Sequence, residues 1–138
     1  MQHFAVLYVM CLPLMLVLDY LWLGKLMQGF YLAELGSYAR RRGAVIAPVY
    51  WAAALVYLLL PLGILLFALP RVDPSNPLLS SLGWGSLFGL VVYGVYDMTN
   101  MATLERWPTR LVFLDICWGS LLCGATTCFA TFVSRWIG

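Results

Sequence analysis

The chain has 138 residues, of which 63% are hydrophobic and only 10% are charged, and its net charge is +2. A water-soluble domain carries about 25% charged residues, so this composition excludes that class and indicates an integral membrane protein. The basic residues form short groups beside apolar segments, which excludes an extended nucleic-acid interface and leaves the lipid bilayer as the first partner.

Four apolar segments are each long enough to cross a bilayer as a helix, which takes about 20 residues. They cover approximately residues 4–26, 44–69, 82–101 and 111–133. The sequence therefore predicts an all-α fold, a four-transmembrane-helix bundle in which residues 1–138 form one transmembrane domain. No Lys or Arg precedes the first segment and no cleavage site follows it, so we expect it to be retained as a helix.

The connection between the first two segments, residues 28–42, is too polar to cross the membrane. Its apolar and aromatic side chains, Phe30, Tyr31, Leu35 and Tyr38, recur at approximately helical spacing. This pattern is typical of a short amphipathic helix that lies in the membrane interface.

The basic residues are distributed unequally between the two ends of the predicted bundle. Six of the eight fall at one end, namely Lys25, Arg40, Arg41, Arg42, Arg106 and Arg110. Loops rich in Lys and Arg remain in the cytoplasm. We therefore expect this arginine-rich end to be cytoplasmic and both termini to lie on the other side.

Three of the six acidic residues, Asp19, Asp97 and Asp115, lie within or at the edge of apolar segments. A carboxylate in a membrane is costly and is therefore a candidate functional residue. With a helical rise of about 1.5 Å per residue, all three lie roughly 6 to 10 Å inside the arginine-rich end. Tyr50 in the second segment falls at a similar depth. We expect one polar layer to which all four helices contribute.

Two Asp-x-x-Trp segments occur, Asp19 to Trp22 in the first helix and Asp115 to Trp118 in the fourth. A spacing of three places each carboxylate and indole on one helical face, where they could provide an acceptor or base beside an aromatic wall. An inverted repeat, as found in many transporters, would explain the two matches, but chance explains them better.

The third helix carries small residues on the face that also bears Asp97. Gly85 and Gly89 belong to this stripe, and Gly119 and Gly124 belong to a similar stripe on the fourth helix. Glycine stripes permit close approach of helices in membranes, so the two stripes are expected to pack together. Asp97 would then approach the fourth-helix aspartate, and the two carboxyl groups would hold one proton between them.

A structural role is the alternative for the same aspartates, which could pair with Arg40, Arg41, Arg42 or Arg110 or cap a helix N-terminus. Function and structure have equal weight for Asp115, which lies near a helix start. Function is favoured for Asp19 and Asp97, because a negative charge is unfavourable near a helix C-terminus. Carboxylates with Asn100 could hold a divalent cation, but we assign no metal ligand, and a cofactor is unknown.

Three blocks of sequence carry a resemblance to a known family. They are residues 18–24 with Asp19 and Trp22, residues 96–104 with Tyr96, Asp97, Thr99 and Asn100, followed by Trp107 and Pro108, and residues 115–119 with Asp115 and Trp118. In them the chain resembles the DUF2177 family of small bacterial integral membrane proteins. The resemblance implies a multi-pass protein of the bacterial inner (cytoplasmic) membrane whose signature positions are these residues, and it implies no activity.

We treat Asp19, Asp97 and Asp115 as candidate catalytic residues. The candidate ligand-binding residues are Trp22, Tyr50, Tyr96, Thr99, Asn100 and Trp118. Three hypotheses remain, and they leave open whether the protein is an enzyme. The first is an enzyme or binding protein for a lipid or other apolar small molecule; the second is a small proton-coupled transporter that dimerises; the third is an accessory subunit of a membrane partner with a structural polar layer.

Overall fold

Four long apolar helices account for most of the chain. The computed structural model describes residues 2–138 and is 83% helical. The helices long and apolar enough to cross a membrane, numbered in chain order as the four spans, are Gln2–Leu26, Tyr50–Arg71, Pro77–Thr103 and Thr109–Ile137. The predicted all-α four-helix bundle is confirmed.

The first span comprises α1 (Gln2–Leu21) and a π-helical turn, Trp22–Leu26. It leads into α2 (Gln28–Leu35), the short helix of the first connection. Tyr31 is the buried residue of α2, so this helix is attached to the bundle mainly through one aromatic side chain. Gly36 ends α2 with a φ of +52°, a conformation that glycine adopts without steric cost.

A short β-hairpin, with two residues in each strand, lies between α2 and the second span. Strand β1 (Arg41–Arg42) pairs in antiparallel register with β2 (Val45–Ile46). The second span consequently begins at Tyr50 rather than near residue 44. Pro48 contributes to this late start, because a proline disfavours helical geometry in the residue before it.

The second span changes its helical geometry along its length. It consists of α3 (Tyr50–Gly63), a π-helical turn at Ile64–Ala68 and a final 3₁₀ turn. Pro61 lies inside α3 and has no N–H with which to continue the helical hydrogen bonds. The hydroxyl of Tyr8 in the first span donates to the carbonyl of Leu58 at 2.9 Å, which joins the two spans near this proline.

The third and fourth spans, α4 (Pro77–Thr103) and α5 (Thr109–Ile137), form the most closely packed pair. A methyl group at Gly89 would collide with the backbone of Gly119, so the helices touch through their main chains there. Farther along, buried Ser81 and Thr131 share a hydrogen bond of 2.8 Å. The two glycine stripes therefore face each other, which brings the polar ends of both helices together.

The opposite end of the bundle, away from the arginine-rich loops, is joined by polar contacts. Asp73 in the loop after the second span accepts hydrogen bonds from the backbone N–H and the hydroxyl of Ser75, both at 2.8 Å. Arg135 of α5 donates to the Pro74 carbonyl at 2.9 Å. These contacts hold the loop against the end of the fourth span.

Candidate functional site

Asp19 lies almost entirely buried, with 5% of its surface exposed, beside the fourth span. The indole Nε1 of Trp118 donates to its Oδ1 at 2.7 Å. The hydroxyl of Tyr57, from the second span, lies close to the same carboxylate. Three spans thus meet at Asp19, and neutral donors compensate its burial.

Asp115 receives its hydrogen bond from α2, the short helix of the first connection. The hydroxyl of Tyr31 in α2 donates to Asp115 Oδ1. Trp22 Nε1 in turn donates to the Tyr31 oxygen at 3.4 Å. Burial, and then the negative charge of Asp115, raise the pKa of Tyr31. The tyrosine therefore remains a protonated donor at neutral pH.

Trp22 and Trp118 connect these two carboxylates, because their rings stack with centroids 4.4 Å apart. The stack joins the first and fourth spans at the point where each carries its Asp-x-x-Trp segment. Asp19 and Asp115 are thereby held at the two sides of one aromatic pair.

Asp97 is fully buried, with 0% of its surface exposed. Its Oδ1 accepts from Nε1 of Trp107, in the loop after the third span, at 3.2 Å. No donor among the described residues reaches its Oδ2. The carboxyl groups of Asp97 and Asp115 lie within hydrogen-bonding reach of each other. The second oxygen of Asp97 is therefore a fully buried polar atom without a donor among the described residues.

The suggested arginine partners of the aspartates are located elsewhere. Within residues 2–138, the hydrogen bonds to the three carboxylates come from tryptophan and tyrosine side chains. Arg41 donates instead to the carbonyls of Gly36 and Leu32. Asp115 is also more than one turn inside α5, which begins at Thr109, so it does not cap that helix. Within residues 2–138, the contacts of these carboxylates are therefore neither arginine ion pairs nor a cap of α5.

An apolar groove reaches this cluster from the surface of the bundle. Its volume is about 470 Å³, and it runs between the second and third spans to the carboxylate of Asp115. The lining residues are Val56, Leu59, Leu60, Phe88, Val92, Tyr93, Tyr96 and Asp115. Asp115 is the one acidic residue in an otherwise hydrocarbon and aromatic wall.

The chain as a whole, and not only the site, is similar to a known family. The model of a family described as a predicted membrane protein, DUF2177, matches residues 4–132. The chain belongs to the DUF2177 family. No curated protein and no solved structure matches it. Family membership therefore establishes a membrane protein and leaves its activity to be inferred from the geometry.

The single polar layer expected from the sequence needs correction in this DUF2177 protein. Tyr50 is 79% exposed at the first position of α3 and does not join the cluster, because the span starts later than expected. Thr99 is exposed, and its carbonyl accepts from Thr103 within the same helix. Within residues 2–138, no three His, Cys, Asp or Glu side chains converge as metal ligands.

The other predicted ligand-binding residues lie at or beside the cluster. Trp22 and Trp118 form the central stack. Tyr96 lines the groove and packs edge-on against Trp107, with ring centroids 6.2 Å apart. Asn100 is half-buried, one helical turn after Tyr96, and lies near the Tyr96 hydroxyl.

Four aromatic residues of the DUF2177 site were not among the predicted site residues: Tyr31, Tyr57, Tyr93 and Trp107. The spacing of the first connection places Tyr31 on the apolar face of a short amphipathic helix, and Trp107 enters the sequence argument only as part of the family resemblance. The available signal was their aromatic N–H or O–H, since a buried Tyr or Trp usually finds a hydrogen-bond acceptor. In an apolar chain with few acidic residues, the intramembrane aspartates were the obvious acceptors.

Proposed function

We propose that this DUF2177 protein binds a lipid or other amphiphilic molecule within the bilayer, with its apolar part in the groove and its polar end at Asp115. The observation that carries the proposal is the groove itself. Its volume of about 470 Å³ is in the range of small-molecule sites, about 300 to 1,000 Å³, which are mostly apolar with a few placed polar groups.

The surroundings of Asp115 support this assignment. Its side chain is half-buried and lines the groove, and Tyr31 fixes one of its oxygens. A hydroxyl, amine or amide at the end of an apolar molecule could donate to the carboxylate. Acid–base chemistry on the bound molecule would use the same group together with Asp97.

Blocking the groove tests the proposal. Val92→Trp places an indole in the groove, whereas Val95→Trp adds the same side chain on the exposed surface of the same helix. We expect dodecyl probes that carry a photoreactive diazirine to label groove peptides of the wild type and of Val95→Trp in lipid nanodiscs. Val92→Trp should lose most of this labelling. Equal labelling of all three proteins would exclude the groove as a binding site.

A small proton-coupled transporter is the second candidate. It is supported by the buried Asp97 oxygen beside Asp115, because two close carboxyl groups can take up and release a proton. Proteoliposomes with a pH gradient should then accumulate a groove ligand faster than gradient-free ones. Rates independent of the gradient would leave binding without transport.

The proposed membrane orientation places the arginine-rich end in the cytoplasm of a bacterial cell, by the positive-inside rule. Ser37 and Ser75 are exposed at opposite ends of the bundle. In intact cells whose outer membrane has been made permeable, an impermeant maleimide should label Ser75→Cys and spare Ser37→Cys. The reverse pattern would invert the orientation, and labelling of neither variant until the inner membrane is opened would contradict it.

A further inference from the structure

The unpaired oxygen of Asp97 is the starting point. This residue is fully buried, its Oδ1 accepts from Trp107, and no donor among residues 2–138 reaches its Oδ2. Buried polar atoms are nearly always hydrogen-bonded, and a buried carboxyl oxygen without a partner is costly. Such an oxygen indicates that a shared proton or a bound ligand satisfies it. The neighbouring group is the carboxyl of Asp115.

A proton between the two carboxyl groups satisfies this oxygen. Two ionised carboxylates that lie next to each other repel, whereas a carboxylic acid beside a carboxylate forms a hydrogen bond. The pair then carries one negative charge and one exchangeable proton. Asp115 of this pair lines the groove, while Asp97 lies behind it.

The groups around the pair are neutral or negative. They are Tyr31 of α2, Trp107 of the loop after the third span, Tyr93 and Tyr96 of α4, and Asp19 of α1, with Tyr57 of α3 beside Asp19. In the part of the chain that the structure describes, no Lys, Arg or His side chain bonds to either carboxyl group. The end of the groove therefore attracts a positive charge and repels a negative one.

We propose that the groove selects an amphiphile with a cationic amine, and that this amine displaces the proton held between Asp97 and Asp115. The inference rests on the proposed binding function and specifies its ligand class. The O–H bond of the protonated carboxyl breaks, and the proton leaves to water. The ammonium group keeps all its protons and bonds to Asp115, so the site exchanges one positive charge for another and no covalent bond forms.

Three probes with the same diazirine-bearing dodecyl chain test the selectivity. They end in a primary amine, an alcohol or a carboxylic acid, and a primary amine is charged at pH 7, as lysine is. The full-length protein is placed in phosphatidylcholine nanodiscs. We expect the amine to bind roughly tenfold or more tightly than the alcohol, and the acid to bind most weakly. Equal binding of amine and alcohol would overturn the charge selection.

Proton exchange is tested on the wild-type protein without any substitution. If one proton leaves for each amine bound, the affinity for the amine rises about tenfold per pH unit. This rise holds at every pH at which the Asp97–Asp115 pair carries its proton. The rise stops once the pair is fully ionised. Alcohol affinity should not rise with pH. An amine affinity that is flat between pH 5 and pH 8 would overturn the exchange.

Two substitutions separate the roles of the carboxyl groups. Asp97→Asn should still bind the amine but with little pH dependence, because asparagine holds no exchangeable proton. Asp115→Asn should lose the preference for amine over alcohol while alcohol labelling persists. Asp73→Asn removes a carboxylate from an exposed loop and should match the wild type. Amine preference retained in Asp115→Asn would refute the assignment.

Failure of the two proposals can be distinguished. If no probe labels the groove in a manner that Val92→Trp blocks, the binding function itself fails, and the selectivity fails with it. If all three probes label the groove equally, the binding function holds and the cationic selectivity fails. Gel filtration and circular dichroism of each variant identify any protein that has not folded.

Discussion

Trp22 and Trp118 lie face to face, with ring centroids 4.4 Å apart and an interplanar angle of 1°. Each belongs to an Asp-x-x-Trp segment, yet neither indole donates to the aspartate of its own segment. Trp118 donates to Asp19 of the first span, and Trp22 reaches Asp115 of the fourth span through Tyr31. The two segments therefore exchange partners across the helix interface, so the loss of one indole affects both helices.

We expect Trp118→Phe to destabilise the protein more than Trp22→Phe. Each substitution retains an aromatic ring for the stack, but the first removes a 2.7 Å hydrogen bond to a buried carboxylate and the second a weak 3.4 Å one. A hydrogen bond to a charged group contributes about 1.5 to 3 kcal/mol. Free energies of unfolding in mixed micelles would measure the difference. Equal losses, or a larger loss for Trp22→Phe, would contradict the geometry.

Tyr31→Phe should release α2 from the bundle. The substitution keeps the ring but removes the hydroxyl that donates to Asp115, the polar anchor of this helix. Hydrogen exchange of residues 28–35 should accelerate several-fold. Tyr38→Phe provides the matched control, since Tyr38 is exposed and its hydroxyl makes no hydrogen bond within residues 2–138. Similar exchange in both variants would show that apolar packing alone retains α2.

Gly89→Ala should separate the third and fourth spans. Its methyl group would collide with the Gly119 carbonyl and lie 2.9 Å from Ser120 Cα, so backbone must move. Overpacking of this type costs about 1 to 3 kcal/mol. At Gly83 and Gly94, no described atom outside the local helix lies within 4 Å of an added methyl group. Alanine there should be neutral or stabilising by up to about 1 kcal/mol, and melting temperatures would establish the order.

The Asp73 loop should lose its order in acid. Hydrogen bonds from Ser75, first from its backbone N–H and then from its hydroxyl, lower the pKa of Asp73. A lowered pKa in the folded state stabilises the loop at pH values above the pKa of the unfolded state, about 3.9. This contribution disappears as the pH falls through the pKa of the folded state.

Ser75→Ala removes only the hydroxyl donor, so the Asp73 pKa should rise part of the way toward its ordinary value. Carboxyl carbon NMR titration would measure this. Ser80→Ala is the control, because the Ser80 hydroxyl oxygen accepts from the Asp73 backbone N–H and does not bond its carboxylate. An unchanged Asp73 pKa in Ser75→Ala would assign the whole effect to the backbone donor.

The fold was predictable from sequence because its determinants are local. Segment length and apolar composition define four spans, and the glycines of α4 and α5 identify the faces that meet. The start of the second span was not predictable from composition alone. Val45 and Ile46 are as apolar as the span itself, but they pair with Arg41 and Arg42 in a hairpin before Pro48.

The candidate site was predictable in part, because charge within an apolar span is conspicuous while partner choice is not. Asp19, Asp97 and Asp115 stood out by type. Their donors depend on which helices are neighbours and on side-chain rotamers. Tyr31 lies 84 positions before the aspartate to which it donates, and spacing along one helix carries no information about such a contact.

The groove has an exposed rim, because Val56 is 51%, Leu59 61% and Tyr96 55% exposed on apolar spans. These side chains face hydrocarbon when the spans are in a bilayer. A ligand would therefore arrive sideways from the surrounding lipid and not from water. Occupancy would then follow the mole fraction of the amphiphile in the membrane, and diluting a sample with lipid would empty the site while diluting it with buffer would not.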